Sequence, residues 1–368
     1  MNNSIPSHEL QRLTDISTQR PTPRIAVAGV GGYAGGELAR LLLRHPRLVA
    51  QTPLFLGRES DDSLHAPLSD LQPALTADES IRVFPFHWDL LEQQAVDLLL
   101  LATPHQQSRA WVPKALERGI RVIDLSGAWR LHEARNSSVY DLEDQDPALA
   151  SALQQEAVYG SPELHKDAIA GARLVANPGC YATSVILALA PLLRAGLVNR
   201  EHGLICDAKS GVSGAGKTPS PGTHFMHAAD NLSAYSVFGH RHIGELLEQL
   251  HLAETQIQFT PHLLPIPRGI LSTIYLRLDQ PSDPETVLSS MREFYRGCPF
   301  VRIRRKGALP QIQHVVRTNF CDLGLVVDRD GRRVVLVSCL DNLLKGAAGQ
   351  AVQNLNLMCS WGEEEGLL

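Results

Sequence analysis

Residues 24–46 read RIAVAGVGGYAGGELARLLLRHP. The opening run is apolar and partly β-branched, as a strand buried on both faces requires. A glycine turn follows at once, with Gly29, Gly32 and Gly35 spaced by three and Gly31 between them. The remainder has a helical period and stops near Pro46. In this strand–turn–helix context, glycines let the backbone approach a pyrophosphate, and the helix N-terminus faces the anion. Gly29, Gly31, Gly32, Tyr33, Ala34 and Gly35 are therefore candidate dinucleotide contacts. The competing reading is a tight strand-to-helix turn with no ligand. A second strand is expected over residues 48–57 (LVAQTPLFLG). Where an NAD site ends this strand in a carboxylate for the ribose, the chain reads Leu56-Gly57-Arg58-Glu59-Ser60. Arg58 and Ser60 suit a 2′-phosphate, so NADP(H) is expected.

Further strands are expected over 95–104 (AVDLLLLATP) and 120–127 (IRVIDLSG), with a helix between them over 107–119. Strands alternating with helices imply a parallel, doubly wound α/β sheet of Rossmann type. The pattern changes after residue 130. Residues 131–176 are turn-rich, and 184–196 (SVILALAPLLRAG) form an apolar helix that Pro191 could kink. From 203 onward the apolar runs read as strands, and Asp330-Gly331 between two valine-rich runs signals a hairpin. An α+β unit with a mostly antiparallel or mixed sheet is expected there. The end, 343–361, is small-residue-rich and helical.

The 368 residues suggest two domains, and 44% hydrophobic with 20% charged residues is an ordinary soluble composition. A net charge of -5 points to neither a nucleic-acid nor a membrane partner. The basic run Arg302–Lys306 reads as a solvated face. Six scattered cysteines without a CxxC pair suit free thiols in a reducing cytoplasm. Residues 1–23 are a polar leader, expected to be mobile.

Three stretches carry chemistry. In ANPGCYATS (176–184) a Pro-Gly turn exposes Cys180 at the mouth of the apolar helix, where unpaired N–H groups lower a thiol's pKa. Cys180 is thus a candidate nucleophile, whereas Cys206 and Cys339 lie in apolar strands and read as structural. In GHRHIGE (239–245), His240 and His242 flank Arg241, with Glu245 beyond. Either histidine could serve as acid and base for the thiol; a pair of surface histidines starting a helix is the bland reading. His224 and His227 lie nearby, yet no cysteine or carboxylate completes a zinc spacing, so no metal is expected. The third stretch, GVSGAGKT (211–218), fits the phosphate-loop pattern. That loop needs a helix straight after it, and here Pro219 and Pro221 follow. It reads as a glycine-rich loop able to hold a small anion through Ser210, Ser213 and Lys217 rather than as an ATP site.

Taken together, these stretches resemble the N-acetyl-gamma-glutamyl-phosphate reductases of the aspartate-semialdehyde dehydrogenase group. The resemblance runs through GVGGYAGGELARLLLRHP, ATPHQQS, DLSGAWRL, VYGSPEL, ANPGCYAT, KSGVSGAGK, GHRHIGE, PHLLPIPRGILSTIY and DNLLKGAAGQAVQNLNLM, in family order from residue 24 to 358. It implies NADPH-dependent reduction of an N-acetylated γ-acyl phosphate through a Cys180 thioester, with a histidine of the 240–242 segment moving protons. It adds Thr103, Pro104, Ser213, Gly214 and Asn342 to the cofactor contacts. For substrate it implies Asn177, Arg130, Ser210, Gly211, Lys217 and Glu245, with Arg268 holding the carboxylate. It implies a cofactor domain over 24–179 completed by the helix 345–368, a catalytic and dimerisation domain over 180–344, and a homo-oligomer, dimer or tetramer. The family's aspartate-phenylalanine-arginine run is Ala128-Trp129-Arg130 here, which leaves the role of that loop open. The rivals are reduction of a longer homologue such as N-acetyl-aminoadipyl phosphate, an ATPase or kinase, and a non-catalytic NADP-binding regulator.

Overall fold

The computed structural model describes residues 22–58, 66–75 and 79–368. Ser60 and residues 1–21 of the leader lie outside them. The opening stretch folds as β1 (Ile25–Ala28), all four residues buried, then a glycine turn, then α1 (Tyr33–Leu42). Around β1 are β2 (Leu54–Leu56), β3 (Val83–Phe84), β4 (Leu98–Leu101), β5 (Arg121–Asp124), β6 (Val158–Tyr159) and β7 (Leu174–Ala176). All pair in parallel, in the order β3-β2-β1-β4-β5-β7-β6. The order reverses between β1 and β4, and such a switch point leaves a crevice at the carboxyl ends of the strands. α2 (His105–Glu117) leaves the end of β4 at that crevice. The second strand is shorter than 48–57 suggests. Pro46–Leu48 form a 3-10 turn instead, and Pro53 has no N–H to donate into a ladder.

The second sheet contains β8 (Leu204–Gly211), β9 (Ser233–Ala234), β10 (Ile257–Leu264), β11 (Ile270–Arg277), β12 (Val301–Ile303), β13 (Cys321–Val327) and β14 (Arg333–Leu340). Its order is β12-β13-β14-β11-β8-β10-β9 and its pairing is mixed. The Asp330-Gly331 hairpin joins β13 to β14, with Gly331 at φ 72. Of the basic run, Arg302 and Arg304 are not freely solvated: both pair with the fully buried carboxylate of Asp322.

Against the second sheet packs the helix that positions Cys180. α4 (Cys180–Arg194; α3 is Pro162–Gly171) starts at Cys180, four residues before the apolar run suggests. Gly179 caps it in an extended conformation and Pro191 is carried inside its last turns. Thirteen of its 15 residues are buried, so each large apolar side chain contributes about 1.5–3 kcal/mol. Its Ser184 hydroxyl bonds to Ser272 on β11 and Ser338 on β14, leaving none of these buried hydroxyls unpaired. The remaining helices needed here are α5 (Ile243–Leu250) and α6 (Gly349–Met358). Every residue of α6 is buried; it packs against α1 and α3 and joins the core of the first sheet.

Gly29 closes the turn at φ 88, and a Cβ there would overlap the Ala102 carbonyl oxygen. Gly29→Ala is therefore expected to destabilise the fold by about 1–3 kcal/mol, read as a lowered urea midpoint at unchanged m-value.

Candidate active site

The cleft at the switch point is lined by Gly32, Tyr33, Ala34 and Gly35 on one side. Cys180, Arg130 and His242 lie on the other, and Ser213, Gly214, Gly216 and Lys217 form a third wall. The glycine turn brings the α1 N-terminus to this space, and a side chain at Gly31 would meet nothing within 4 Å. Open space over a glycine turn at a helix start fits a pyrophosphate. Gly29 and Gly31 shape the turn behind the lining. Arg58 is exposed just past β2. Of the neighbouring cofactor candidates, Thr103 bonds to Ser108 through its hydroxyl and Pro104 caps α2; neither lines the cleft. Asn342 does. It donates to the Ser213 hydroxyl and accepts the Gly269 N–H.

The 211–218 stretch follows β8 as a four-residue 3-10 turn, Val212–Ala215, and no helix continues from Lys217. The loop instead crosses to the glycine turn, where Lys217 Nζ donates to the Gly31 carbonyl at 3.1 Å. Ser210 and Gly211 are packed below the cleft, Gly211 against the backbone of Ile266 to Arg268.

Cys180 is the first residue of α4, half-buried in the cleft. Gly346, in a π-helical turn over Leu344–Ala348, packs against it so closely that a Cβ at 346 would lie 2.7 Å from Cys180 Cβ. The helix dipole does not win here. Burial pushes the thiol up to about 11, while the Tyr181 N–H and the Arg130 charge oppose this less strongly. The resting thiol is therefore protonated at neutral pH, which corrects the expectation of a lowered pKa.

The two histidines part company. His242 lines the cleft, and its Nε2 lies over Gly179, where any side chain would overlap it. His240 stands behind; its Nδ1 accepts the His242 N–H at 3.1 Å, and the ring centroids are 4.7 Å apart. The Tyr181 ring packs edge-on against both. Burial, followed by the charge of Arg241, lowers His240 to about 4. Burial, then the neighbouring His240 and Arg130, holds His242 well below the usual imidazole range.

Glu245 is fully buried and sits beneath the cleft. Its carboxylate accepts the Tyr159 hydroxyl at 2.6 Å, the Gly179 N–H at 2.9 Å and Arg130 Nη1 at 3.2 Å. Arg130 also donates to the carbonyls of Asn177 and Leu125. Burial opposes its charge, but the Glu245 carboxylate, together with Tyr140, Tyr159 and Asp124, more than restores it. The Asn177 side chain faces inward, to Ala347 and Asn354. Arg268 does not reach the cleft: its guanidinium is taken by Glu37 of α1 at 2.6 Å and Asp341 at 3.1 Å. In the variant loop, Trp129 is a core residue, fully buried under the Arg109 guanidinium at 4.1 Å. The sequence reading did not single out His105, Tyr140, Arg241 or Gly346, all of which line the cleft. Arg241 had a signal, since it lies between the two histidines.

Two family models match the chain: the NAD binding domain of semialdehyde dehydrogenase over residues 24–172 and the semialdehyde dehydrogenase dimerisation domain over 180–342. Solved structures with the same fold include aspartate semialdehyde dehydrogenase II of Vibrio cholerae, complexed with ASA. It has 19% identity and a TM-score of 0.68, and the match covers 92% of this chain and 98% of that one. The Candida albicans aspartate semialdehyde dehydrogenase with NADP matches at TM-score 0.65 and 15% identity, over 91% and 98% of the chains. Fold and cleft thus define a semialdehyde dehydrogenase that uses a nicotinamide cofactor. Among curated relatives, the N-acetyl-gamma-glutamyl-phosphate reductase of Geobacillus stearothermophilus is 42% identical over 93% of this chain and 97% of its own. That of Symbiobacterium thermophilum is 43% identical over 94% and 98%. The chain belongs to the N-acetyl-gamma-glutamyl-phosphate reductase family.

His105, His240 and His242 are held neutral where an unfolded chain would protonate them at a pKa of about 6.5. A depressed imidazole pKa contributes stability above the unfolded value and loses it as pH falls. The melting temperature is expected to drop between about pH 6.5 and about pH 4, with a shallower drop in His240→Gln, by scanning calorimetry.

Proposed function

We propose that this chain reduces N-acetyl-γ-glutamyl phosphate to the 5-semialdehyde, releasing phosphate, with NADPH as reductant in arginine biosynthesis. The observation that carries the reading is the meeting of Cys180, His242 and the glycine turn in one cleft. Cys180 is the nucleophile. Its protonated thiol needs a base at the moment of attack; neutral His242, which lines the same cleft, would accept that proton. The sulfur–carbon bond forms, the carbon–oxygen bond to the phosphoryl group breaks, and a thioester remains on Cys180. The developing oxyanion faces the N–H groups at the start of α4. Lys217 and Arg130 supply positive charge toward the phosphoryl group. His242 returns its proton when the thiohemiacetal collapses. The reduced nicotinamide, when bound, supplies the hydride. Residues 29–35 would hold its pyrophosphate, Asn342 orders the loop carrying Ser213 beside it, and exposed Arg58 suits a 2′-phosphate, which favours NADP(H).

In this reading residues 24–179, completed by 345–368, hold the cofactor, and 180–344 carry the chemistry and the contacts of a homo-oligomer. We place the enzyme in the cytoplasm. Six free thiols suit a reducing compartment, and no described helix is long and apolar enough to cross a membrane.

The test follows NADP+ reduction with N-acetylglutamate semialdehyde. Phosphate-dependent turnover is expected, with kcat reduced by about 10³-fold or more in Cys180→Ser. His242→Gln should lose about 10²–10⁴-fold and His240→Gln less. A higher kcat/KM for the aminoadipate homologue would move the reaction to that substrate; silence with both would leave an NADP-binding protein without this chemistry. In the free protein, iodoacetamide labelling of Cys180 should be slow at neutral pH and quicken about tenfold per pH unit up to about pH 10. Fast labelling at pH 7 would contradict a protonated resting thiol.

A further inference from the structure

The cleft holds two guanidinium groups in different states. Arg130 has acceptors on every side: Leu125, Asn177 and Glu245. Arg241 stands exposed at the mouth, its Nη1 2.6 Å from His105 Nε2. His105 Nδ1 already accepts the Gly127 N–H at 2.8 Å. A neutral imidazole has one proton, so with Nδ1 accepting, that proton sits on Nε2. A guanidinium has donors only. Two donors therefore face each other across the cleft wall with no acceptor between them. The other tautomer only moves the conflict to Gly127, whose N–H is buried. A charged ring gives no relief, because burial and the adjacent Arg241 lower His105 to about 4.

A third donor joins them. The Tyr140 ring packs 4.8 Å from His105 and lies under Arg241, whose Cζ is 5.9 Å from the ring centroid. Tyr140 is only 9% exposed; its hydroxyl oxygen lies beside the Arg130 guanidinium, itself a donor, and the hydroxyl proton finds no acceptor. Three unsatisfied donors on one wall call for a group that only accepts, and a carboxylate is such a group. The wall's position says which end of the substrate it takes. Chemistry occurs at Cys180, on the α4 N-terminus, whereas Arg241 stands at the mouth. The phosphoryl group leaves from the reacting carbon, and the carboxylate lies several bonds away.

We propose that His105, Tyr140 and Arg241 form the subsite for the substrate's remote carboxylate. This rests on the reductase reading above. It takes the role expected of Arg268, whose guanidinium is committed to Glu37 and Asp341. The subsite draws on both halves of the chain: His105 opens α2, Tyr140 follows β5, and Arg241 precedes α5. It selects acidic N-acyl substrates over neutral aldehydes.

Calorimetric titration tests it with two probes, N-acetyl-L-glutamate and 4-acetamidobutanoate, which differ only in the α-carboxylate. The full-length protein is expected to bind the first at least about tenfold more tightly, as a charge-assisted contact warrants. Arg241→Met should reduce that preference to about twofold or less, and Tyr140→Phe should lower it in part. Arg241 is exposed, so its variant should fold, with an unchanged melting temperature as the check. In turnover, Arg241→Met should raise KM for the semialdehyde about tenfold and leave KM for phosphate unchanged. A preference that survives Arg241→Met, or a rise confined to the phosphate KM, overturns the assignment. Equal binding of both probes by the unaltered protein removes the subsite and leaves the reductase intact. Full discrimination without phosphate-dependent turnover does the reverse.

Discussion

One buried carboxylate organises the site. Glu245 accepts at once from the backbone preceding Cys180, from a tyrosine on β6 and from an arginine on the loop after β5. Those three donors lie 66, 86 and 115 positions before the carboxylate, which sits in the first turn of α5, three residues after His242. The Gly179–Cys180 corner and the imidazole above it are thus referred to the same fixed charge. A buried pair of this kind is costly to desolvate, and removal of one partner leaves the other stranded. The contribution is positional: Glu245 never meets solvent, so it acts through the residues it holds.

The environment of Cys180 follows from the same burial. A helix start lowers a thiol's pKa when water solvates the thiolate freely, and here packing against Gly346 and the walls of the cleft limits that. The histidine beside it is kept neutral by the same low dielectric. Thiol and imidazole therefore rest as an uncharged pair. In the proposed reaction the proton would move when an electrophile arrives to take the sulfur's electrons.

Arg268 shows how a plausible ligand becomes a strut. Its guanidinium bridges Asp341, at the end of β14, and Glu37, on the helix that follows the glycine turn. The contact pins the second sheet to the first helix beside the cleft, as Lys217 does through the Gly31 carbonyl. The C-terminal segment completes this joining. Its π-helical turn presses Gly346 on Cys180, and α6 then enters the core of the first sheet. The variant Trp129 belongs to the same economy of packing, filling the core under Arg109 while its neighbour Arg130 keeps its place.

Much of this was legible in the chain because it is local. The β1–turn–α1 unit, the strand of four leucines, the Asp-Gly hairpin and the siting of Cys180 after a Pro-Gly turn all follow from backbone preferences among residues a few positions apart. The prolines after Lys217 likewise ruled out a phosphate-loop helix, and none forms. What local preference cannot express is which donor finds which acceptor. Arg130 and Glu245 are 115 positions apart, and Arg268 and Glu37 are 231 apart. Only the docking of one sheet against the other decided that Arg268 is a strut, that Glu245 lies beneath the site, and that His242 rather than His240 lines the cleft with Cys180. The direction of the thiol's pKa was settled there as well, because desolvation depends on every atom packed around a group, whereas a helix start is written in the few residues that form it.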